Sequence, residues 1–270
     1  MMKDVLVDGA RLRYAEAGQG DPLVLLHGWP ESHAAWRHQI GALSLSRRVI
    51  APDWFGWGES ERTPRLSCDY DSEVARIGRM LDALGLDRVD LACHDYGGFL
   101  GLGFVQRHPA RVRRFAILNS RAHSTFSAPY YQLFGLHSVL PRLLTLPGTG
   151  WLNRRGLTRY VRNGSFDEHR LRTYLGFLDT AAGRRWYAHF WSGYQVRVRP
   201  ELAAGLAGIE CPTAVIWGDR DPAIPIRTAE ELAARIPHAT LVRIHGADHF
   251  VMEERPEEVT EALAAWLLRE

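Results

Sequence analysis

Residues 91–98, Leu-Ala-Cys-His-Asp-Tyr-Gly-Gly, place a carboxylate where it could act as a nucleophile. An apolar run predicts a strand that ends at Cys93, and a helical apolar rhythm starts at Phe99. The chain must turn sharply between them, and the small residues Cys93 and Gly97 allow the backbone to close up. Such a turn exposes one side chain at the end of a sheet. That side chain is Asp95, and a carboxylate there implies attack on an alkyl carbon to form an ester, which must then be hydrolysed.

Two more polar residues follow predicted strands and could complete this chemistry. Asp221 follows the apolar run at residues 213–217, and His249 follows the run at residues 240–244. Taken alone, Asp95 could be a helix N-cap, Asp221 could start a turn and His249 could be a loop residue. Together they predict a triad in which Asp221 orients His249, and His249 activates a water molecule that hydrolyses the ester.

Short apolar strands alternate with amphipathic helices along most of the chain. This alternation predicts an α/β fold with a mostly parallel, doubly wound sheet, in which sites form at the carboxyl ends of strands. The pair Asp8-Gly9 predicts a hairpin between the first two strands. The predicted strands are residues 5–7, 11–17, 23–26, 48–51, 88–93, 114–118, 213–217 and 240–244.

The pattern changes after the sixth predicted strand. Strand signals disappear between residues 119 and 206, where aromatic and arginine-rich helical stretches alternate with breaks such as residues 147–150. A segment of roughly 80 residues is too long to be a plain connection. We therefore expect a core domain formed by residues 1–119 and 207–270, with an inserted helical cap at residues 120–206.

The composition is typical of a globular protein. Of 270 residues, 46% are hydrophobic and 24% charged, and a net charge of +2 from 33 basic and 31 acidic residues does not favour a nucleic-acid partner. No apolar run approaches the ~20 residues needed to cross a bilayer, and no signal-peptide core follows Met1. Cys68, Cys93 and Cys211 lack metal-ligand spacing. We expect a cytoplasmic protein with no metal, cofactor or membrane partner, either a monomer or a homodimer.

Four segments of the predicted core resemble a known family. Residues 27–32 (His-Gly-Trp-Pro-Glu-Ser) and 36–40 (Trp-Arg-His-Gln-Ile) resemble the epoxide hydrolases of the α/β-hydrolase superfamily. Residues 51–60 (Ala-Pro-Asp-Trp-Phe-Gly-Trp-Gly-Glu-Ser) and 95–102 (Asp-Tyr-Gly-Gly-Phe-Leu-Gly-Leu) resemble the haloalkane dehalogenases at least as closely. The resemblance implies an α/β-hydrolase fold with an aspartate nucleophile, and it does not extend to the cap.

The resemblance also implies roles for individual residues. The order Asp95, Asp221, His249 is the order of nucleophile, acid and histidine in this fold. We prefer Asp221 to its neighbour Asp219 as the acid because Asp221 has the Gly-x-x-Asp spacing of the fold. No Gly-x-Ser-x-Gly motif offers a competing serine.

An oxyanion hole is the other feature that the resemblance implies. The backbone N–H groups of Trp29 and Tyr96 would stabilise the charge that develops during ester hydrolysis. Many dehalogenases carry a tryptophan after the nucleophile to hold the halide, whereas this chain has Tyr96. Epoxide hydrolases use two cap tyrosines to protonate the opening ring, and we take Tyr131 and Tyr194 as the candidates, although either could be a packing or surface residue.

The leading hypothesis is an epoxide hydrolase that converts epoxides to vicinal diols. Its substrate would be a small apolar organic molecule, with water as the second reactant. The alternative is a haloalkane or haloacid dehalogenase, for which Trp151, Trp186 and Trp191 are the first places to seek a halide donor. A third hypothesis is a ligand-binding protein with an idle triad. A binding protein would not need Asp95, Asp221 and His249 together, so we rank it last.

Overall fold

The computed structural model describes residues 1–121, 140–161, 166–193 and 199–269. Eight strands of these residues form a single sheet. The strands are β1 (Met2–Val7), β2 (Ala10–Ala17), β3 (Pro22–Leu26), β4 (Arg48–Pro52), β5 (Val89–His94), β6 (Val112–Leu118), β7 (Thr213–Gly218) and β8 (Thr240–Ile244). Their order across the sheet is β1-β2-β4-β3-β5-β6-β7-β8.

The pairing of the strands confirms the predicted fold class. β1 and β2 pair antiparallel across Asp8-Gly9, and β2 pairs antiparallel with β4. All other neighbours in the sheet are parallel. Every residue of β5 and of β7 is buried, as expected for strands covered on both faces. The carboxyl ends of β5, β6, β7 and β8 therefore lie next to one another at one edge of the sheet.

Helices of the described residues flank the sheet and extend between β6 and β7. Helix α1 packs against α11, and α2 packs against α3. None of the described helices is long and apolar enough to cross a membrane. The helices are α1 (Arg37–Leu43), α2 (Tyr70–Ala83), α3 (Asp95–Arg107), α4 (Leu140–Leu143), α5 (Thr149–Leu157), α6 (Glu168–Leu175), α7 (Ala181–Gly193), α8 (Pro200–Ala204), α9 (Ile226–Arg235), α10 (Val251–Glu254) and α11 (Pro256–Leu267).

The segment between β6 and β7 is helical where the structure describes it. We call residues 120–206 the cap segment, and its division from the core remains a prediction. It contributes α4 to α8, together with a short 3-10 helix at Thr158–Tyr160. Tyr131 and Tyr194, the predicted ring-opening tyrosines, lie outside the described residues.

An aromatic cluster joins the cap segment to the loop after β4. The ring of Trp57 packs edge-on against Trp186 and Phe190 of α7, with centroid distances of 4.8 and 5.0 Å. Gly56 in the same loop has φ +81°, and a Cβ at this residue would lie 1.8 Å from Cζ2 of Trp186. This loop can follow its path beside α7 only because residue 56 has no side chain.

The turn from β5 into α3 holds Asp95 in the left-handed region, with φ +40°. This conformation is uncommon for a residue with a side chain and costs on the order of 1–3 kcal/mol. Gly97 allows the turn to pack against the end of the neighbouring strand β3, since a Cβ there would lie 2.5 Å from the carbonyl oxygen of His27. The predicted sharp turn is therefore present, and Gly97 is needed for its close approach.

We expect Gly97→Ala to lower the free energy of unfolding by about 1–3 kcal/mol, because the added methyl would overlap two backbone carbonyls. Gly78→Ala, in the middle of α2, is the matched control. Its Cβ would meet nothing closer than 3.5 Å, so it should raise the free energy of unfolding by about 0.5–1 kcal/mol. Urea denaturation measures both. Equal stability of the two variants would contradict this account of the turn.

Candidate active site

Asp95, Asp221 and His249 lie together at the carboxyl edge of the sheet. They follow β5, β7 and β8, respectively. Nδ1 of His249 lies 2.8 Å from Oδ2 of Asp221, and Nε2 of His249 lies 3.6 Å from Oδ1 of Asp95. The structure thus brings together three residues that are far apart in the sequence. Their roles as nucleophile, acid and base remain our proposal.

The carboxylate of Asp95 binds groups outside its own helix. Asp95 is the first residue of α3, and His94 takes the N-cap position. The backbone N–H of Trp29 donates to Oδ2 of Asp95 over 3.1 Å, and Oδ1 faces His249. The Asp95 side chain is 21% exposed, so a small molecule can reach it. The geometry therefore favours a nucleophile over a capping residue.

Asp221 is held firmly in place beside His249. Its Oδ1 accepts the backbone N–H groups of Ala223 and Ile224, at 2.7 and 2.9 Å. Its Oδ2 accepts a further hydrogen bond of 2.8 Å from the side-chain amide of Asn119. These donors leave Oδ2 facing Nδ1 of His249, where a carboxylate stabilises an imidazolium and fixes its orientation.

Asp219, the alternative acid, has a different set of partners. Its Oδ2 lies 2.9 Å from Nδ1 of His245, and its Oδ1 accepts the backbone N–H of Gly246 over 2.8 Å. The side chain of His245 is 82% exposed. Asp219 therefore stabilises a surface turn, and the geometry agrees with the choice of Asp221.

Asn119 was not singled out from the sequence, although it links three parts of the site. It follows β6 directly, with φ +37°. Its Oδ1 accepts the N–H of Gly218 at 3.0 Å, and its Nδ2 donates to Asp221 and to the carbonyl of Asp248. An asparagine immediately after the apolar run at residues 114–118 was the sequence signal that could have identified it, and the structure buries its amide fully.

The loop that presents Trp29 is fixed by a neutral histidine. Nε2 of His27 accepts the backbone N–H of Trp54 over 2.9 Å, so Nδ1 carries the hydrogen and donates to the carbonyl of Gly28 over 2.8 Å. Burial lowers the pKa of His27 and keeps the ring neutral. These two bonds tie the loop to the end of β4 and hold the Trp29 N–H towards Asp95.

Glu31 and His94 form a second buried pair that the sequence did not reveal. Both side chains are fully buried, and Oε2 of Glu31 lies 2.8 Å from Nδ1 of His94. The same oxygen accepts the N–H of Gly28 over 2.7 Å. Nε2 of His94 donates to the backbone carbonyl of His249 over 2.9 Å, because a carbonyl can only accept. This pair links the Trp29 loop, the β5 turn and the His249 loop.

Opposite charges set the protonation of the candidate triad. Burial alone would raise the pKa of Asp95, but the hydrogen bond and charge of His249 outweigh it and lower that pKa to about 2. Burial also opposes a charge on His249, yet Asp221 and then Asp95 raise the pKa of His249 well above its ordinary value. Asp95 and His249 therefore favour each other's charged forms, a carboxylate at residue 95 and an imidazolium at residue 249.

A cleft opens over these groups between the core and the cap segment. The space between its walls is about 340 Å³ when the part that is open to solvent is included. Tyr160 from the cap segment lines it, and the Tyr160 hydroxyl has no hydrogen-bond partner among the described residues. No group of His, Cys, Asp and Glu among the described residues is arranged to hold a metal ion. The described cleft residues are Trp29, Asp95, Leu157, Tyr160, Ala223, Ile224, His249 and Phe250.

The remaining aromatic residues that the sequence suggested for the site, Tyr96 and three tryptophans, differ in their burial and contacts. The hydroxyl of Tyr96 donates to Oε2 of the buried Glu73 over 3.3 Å, and Tyr96 is not among the cleft residues. Trp151 is 58% exposed, which is unsuitable for a dry halide site, whereas Trp186 and Trp191 are buried. The backbone N–H of Tyr96 lies in the first turn of α3, and its part in an oxyanion hole remains a proposal.

The described architecture and site agree with one protein family. The sequence pattern of the family described as alpha/beta hydrolase fold matches residues 21–256. The chain belongs to this family. As an α/β hydrolase, it also matches the crystal structure of an alpha/beta hydrolase fold protein from Burkholderia ambifaria at 25% identity, with a TM-score of 0.85 over 97% of each chain.

Two curated relatives are similar to this α/β hydrolase over nearly its whole length. The soluble epoxide hydrolase of Corynebacterium sp. (strain C12) is 30% identical, and the alignment covers 94% of this chain and 92% of the relative. Haloalkane dehalogenase 2 of Mycobacterium bovis is also 30% identical, with coverage of 94% and 90%. The protein is therefore an enzyme of the hydrolase class and not a binding protein with an idle triad.

We expect Asp95→Asn to lower the pKa of His249, because it removes one of the two negative charges that raise it. The wild-type ring should stay protonated through neutral pH, while the ring in the variant should lose its proton at lower pH. Nitrogen-15 NMR titration of the imidazole measures this change. Asp219→Asn is the control and should leave His249 unchanged. An unchanged His249 titration in Asp95→Asn would show that the two groups are not coupled.

Proposed function

We propose that this α/β hydrolase converts epoxides to vicinal diols through an ester on Asp95. The observation that carries the proposal is the position of an ionised carboxylate between the Trp29 N–H and the imidazole of His249, in a cleft that also contains the phenol of Tyr160. The similarity to the soluble epoxide hydrolase of Corynebacterium sp. supports it.

In the first step, Oδ1 of Asp95 attacks an epoxide carbon. Oδ2 is the oxygen that accepts the Trp29 N–H, so Oδ1 is the oxygen left to form the new carbon–oxygen bond. The epoxide carbon–oxygen bond breaks, and the ring oxygen takes a proton. Tyr160 is the described phenol in the cleft and can donate this proton, because its hydroxyl has no partner among the described residues.

In the second step, water hydrolyses the ester. Ester formation removes the negative charge of Asp95, and His249 then loses one of the groups that favour its protonated form. His249 gives up its proton, which returns through water to the phenolate left on Tyr160. The neutral imidazole then takes a proton from the attacking water, while Asp221 stabilises the new imidazolium. The hydroxide attacks the ester carbonyl, and the oxyanion that forms stays near the Trp29 N–H, a contact worth ~3 kcal/mol in such sites. When this intermediate collapses, the ester carbon–oxygen bond to the diol breaks. The leaving oxygen takes the proton of the hydroxyl that came from water, which releases the diol and restores the carboxylate of Asp95.

The cleft favours an uncharged, apolar substrate. Its described walls away from the triad are Leu157, Tyr160, Ala223, Ile224 and Phe250, with no cationic side chain among them. A carboxylated substrate would lose its hydration against these walls, and His249, the cationic group that the triad offers, already faces the carboxylates of Asp95 and Asp221, so binding would be costly. We therefore favour small apolar epoxides and rank haloacids below haloalkanes.

A haloalkane dehalogenase is the second candidate. The indole N–H of Trp29 is buried and has no hydrogen-bond acceptor among the described residues, although Trp29 lines the cleft. A displaced halide needs hydrogen-bond donors but no proton, and an indole N–H meets that need. The similarity to haloalkane dehalogenase 2 of M. bovis also supports this alternative.

We expect His249→Ala to form the ester on Asp95 but not to hydrolyse it, since the variant lacks the base for water. Intact-protein mass spectrometry, after mixing with a substrate that the wild type turns over, should show one substrate-derived adduct. Peptide mapping should place the adduct on Asp95. Asp95→Asn is the control and should show no adduct. Normal turnover by His249→Ala, or an adduct on another residue, would rule out this mechanism.

We expect Tyr160→Phe to slow ester formation from epoxides on the order of 10²-fold, the usual loss for a general acid. Ester formation from bromoalkanes should be unchanged, because a leaving bromide needs no proton. Stopped-flow measurement with a small panel of epoxides and bromoalkanes, scored for diol and bromide, tests both statements. Tyr14→Phe, which changes a buried phenol on β2 outside the cleft, is the control.

Two outcomes of that panel would contradict us. Full epoxide activity in Tyr160→Phe would remove Tyr160 as the acid and return attention to Tyr131 and Tyr194. Release of bromide by a wild type that leaves every epoxide intact would replace the epoxide hydrolase proposal with the dehalogenase.

A further inference from the structure

A buried carboxylate outside the candidate triad joins the cap segment to the core. Glu253 lies in α10, four residues after His249, and its side chain is fully buried. The hydroxyl of Tyr174 donates to its Oε1 over 2.5 Å, and Nε of Arg170 lies 3.2 Å from its Oε2. Arg37 donates to the same Oε2 from the core. One carboxylate therefore binds donors from both parts of the protein.

The two cap donors are arranged for this carboxylate. Arg170 and Tyr174 are four residues apart on α6, so they lie on the same face of that helix. The Tyr174 side chain is almost fully buried, and that of Arg170 is 18% exposed. Each donates to a different oxygen of Glu253. Directional bonds of this kind fix both the distance and the rotation of α6 relative to α10.

The electrostatics of Glu253 argue against a purely stabilising contact. Burial, followed by the negative charge of Glu31, raises the pKa of Glu253 to about 7. The hydrogen bond from Tyr174 and the charges of Arg170 and Arg37 only partly offset this. Buried ion pairs are in general poor sources of stability, and apolar groups of similar size often do as well. A role in fixing the position of α6 relative to α10 explains the buried carboxylate of Glu253 better than a contribution to stability does.

Apolar packing connects the same helix to the candidate base. Phe166, just before α6, packs against Tyr174 at a centroid distance of 5.7 Å and against Phe250 at 4.6 Å. Phe250 lines the cleft and contacts the ring of His249, at 5.1 Å. Movement of α6 away from Glu253 would therefore also change the packing beside His249.

We propose that Glu253 is a positioning residue that holds α6 of the cap segment against the segment carrying His249. By fixing α6, it keeps Phe166 against Phe250 and so maintains the closed wall of the cleft. The effect of Glu253 on catalysis rests on the proposed function, because that effect requires His249 and the cleft to act on substrate. Its effect on the position of α6 does not depend on any substrate.

Hydrogen exchange of the full-length protein tests the structural part. In Tyr174→Phe and Arg170→Gln, backbone amides of residues 168–175 should exchange about 10-fold faster than in the wild type, because each variant removes one directional bond to a charged group. Exchange in β5 and α3 should not change. Mass spectrometry of peptic fragments measures this without any substrate.

Two matched variants serve as controls. Arg172→Gln removes an arginine of the same helix whose partner, Glu168, is exposed on that helix. Tyr187→Phe removes a phenol that donates to Asn153 within the cap segment. Neither should accelerate exchange at residues 168–175. Equal exchange in the test and control variants would overturn the proposal, and so would an equal acceleration throughout the chain, which would indicate a loss of global stability.

Kinetics separate positioning from simple stabilisation. With a substrate that the wild type turns over, Tyr174→Phe and Arg170→Gln should raise KM several-fold, while the rate of ester formation at saturation changes by less than twofold. This split is expected because the substrate must first restore the closed arrangement. An unchanged KM alongside faster exchange would overturn the catalytic part. Faster exchange in a protein that turns over neither epoxides nor haloalkanes would support the position of α6 and contradict the proposed function instead.

Discussion

A partly buried carboxylate that must stay ionised is the constraint on which this site depends. Asp95 lies at the end of a fully buried strand, where a charge is costly unless other groups compensate it. The compensation comes from the Trp29 N–H and from His249, which Asp221 holds in place and whose charged form both carboxylates favour. These groups come from separate loops, so the sheet has to bring four strand ends to one edge. The fold thus stabilises the negative charge of Asp95 and keeps it accessible to a small molecule.

The layer below the nucleophile shows how those loops are held together. His94 donates to the backbone of His249, and Glu31 binds both His94 and the N–H of Gly28. A polar pair buried this deeply is expensive unless its hydrogen bonds are made. Because its bonds extend to three segments, displacement of any one segment would leave polar groups unsatisfied. The pair therefore favours a single arrangement of the site over a set of looser ones.

The sequence predicted the parts of the site that follow from local pattern. Asp221 and His249 each come after an apolar strand, and parallel strands end at a common edge, so their convergence with Asp95 could be foreseen. The pairing of Glu31 with His94 could not, because it joins residues 63 positions apart through contacts that no periodicity records. The cap was harder still, since helices without a matched motif have no known register against the core.

Gly56 is the point at which the loop after β4 and helix α7 meet most closely. Trp186 occupies the space that any side chain at residue 56 would need. A side chain at residue 56 would therefore require a smaller residue in place of Trp186. The loop after β4 and helix α7 have to be transferred together when segments are exchanged between related proteins. A chimera that carries the helical segment of another α/β hydrolase would bring its own residue to the position of Trp186. Such a graft would need residues 53–60 from the same donor, so its boundary extends beyond the ends of the inserted segment into the core.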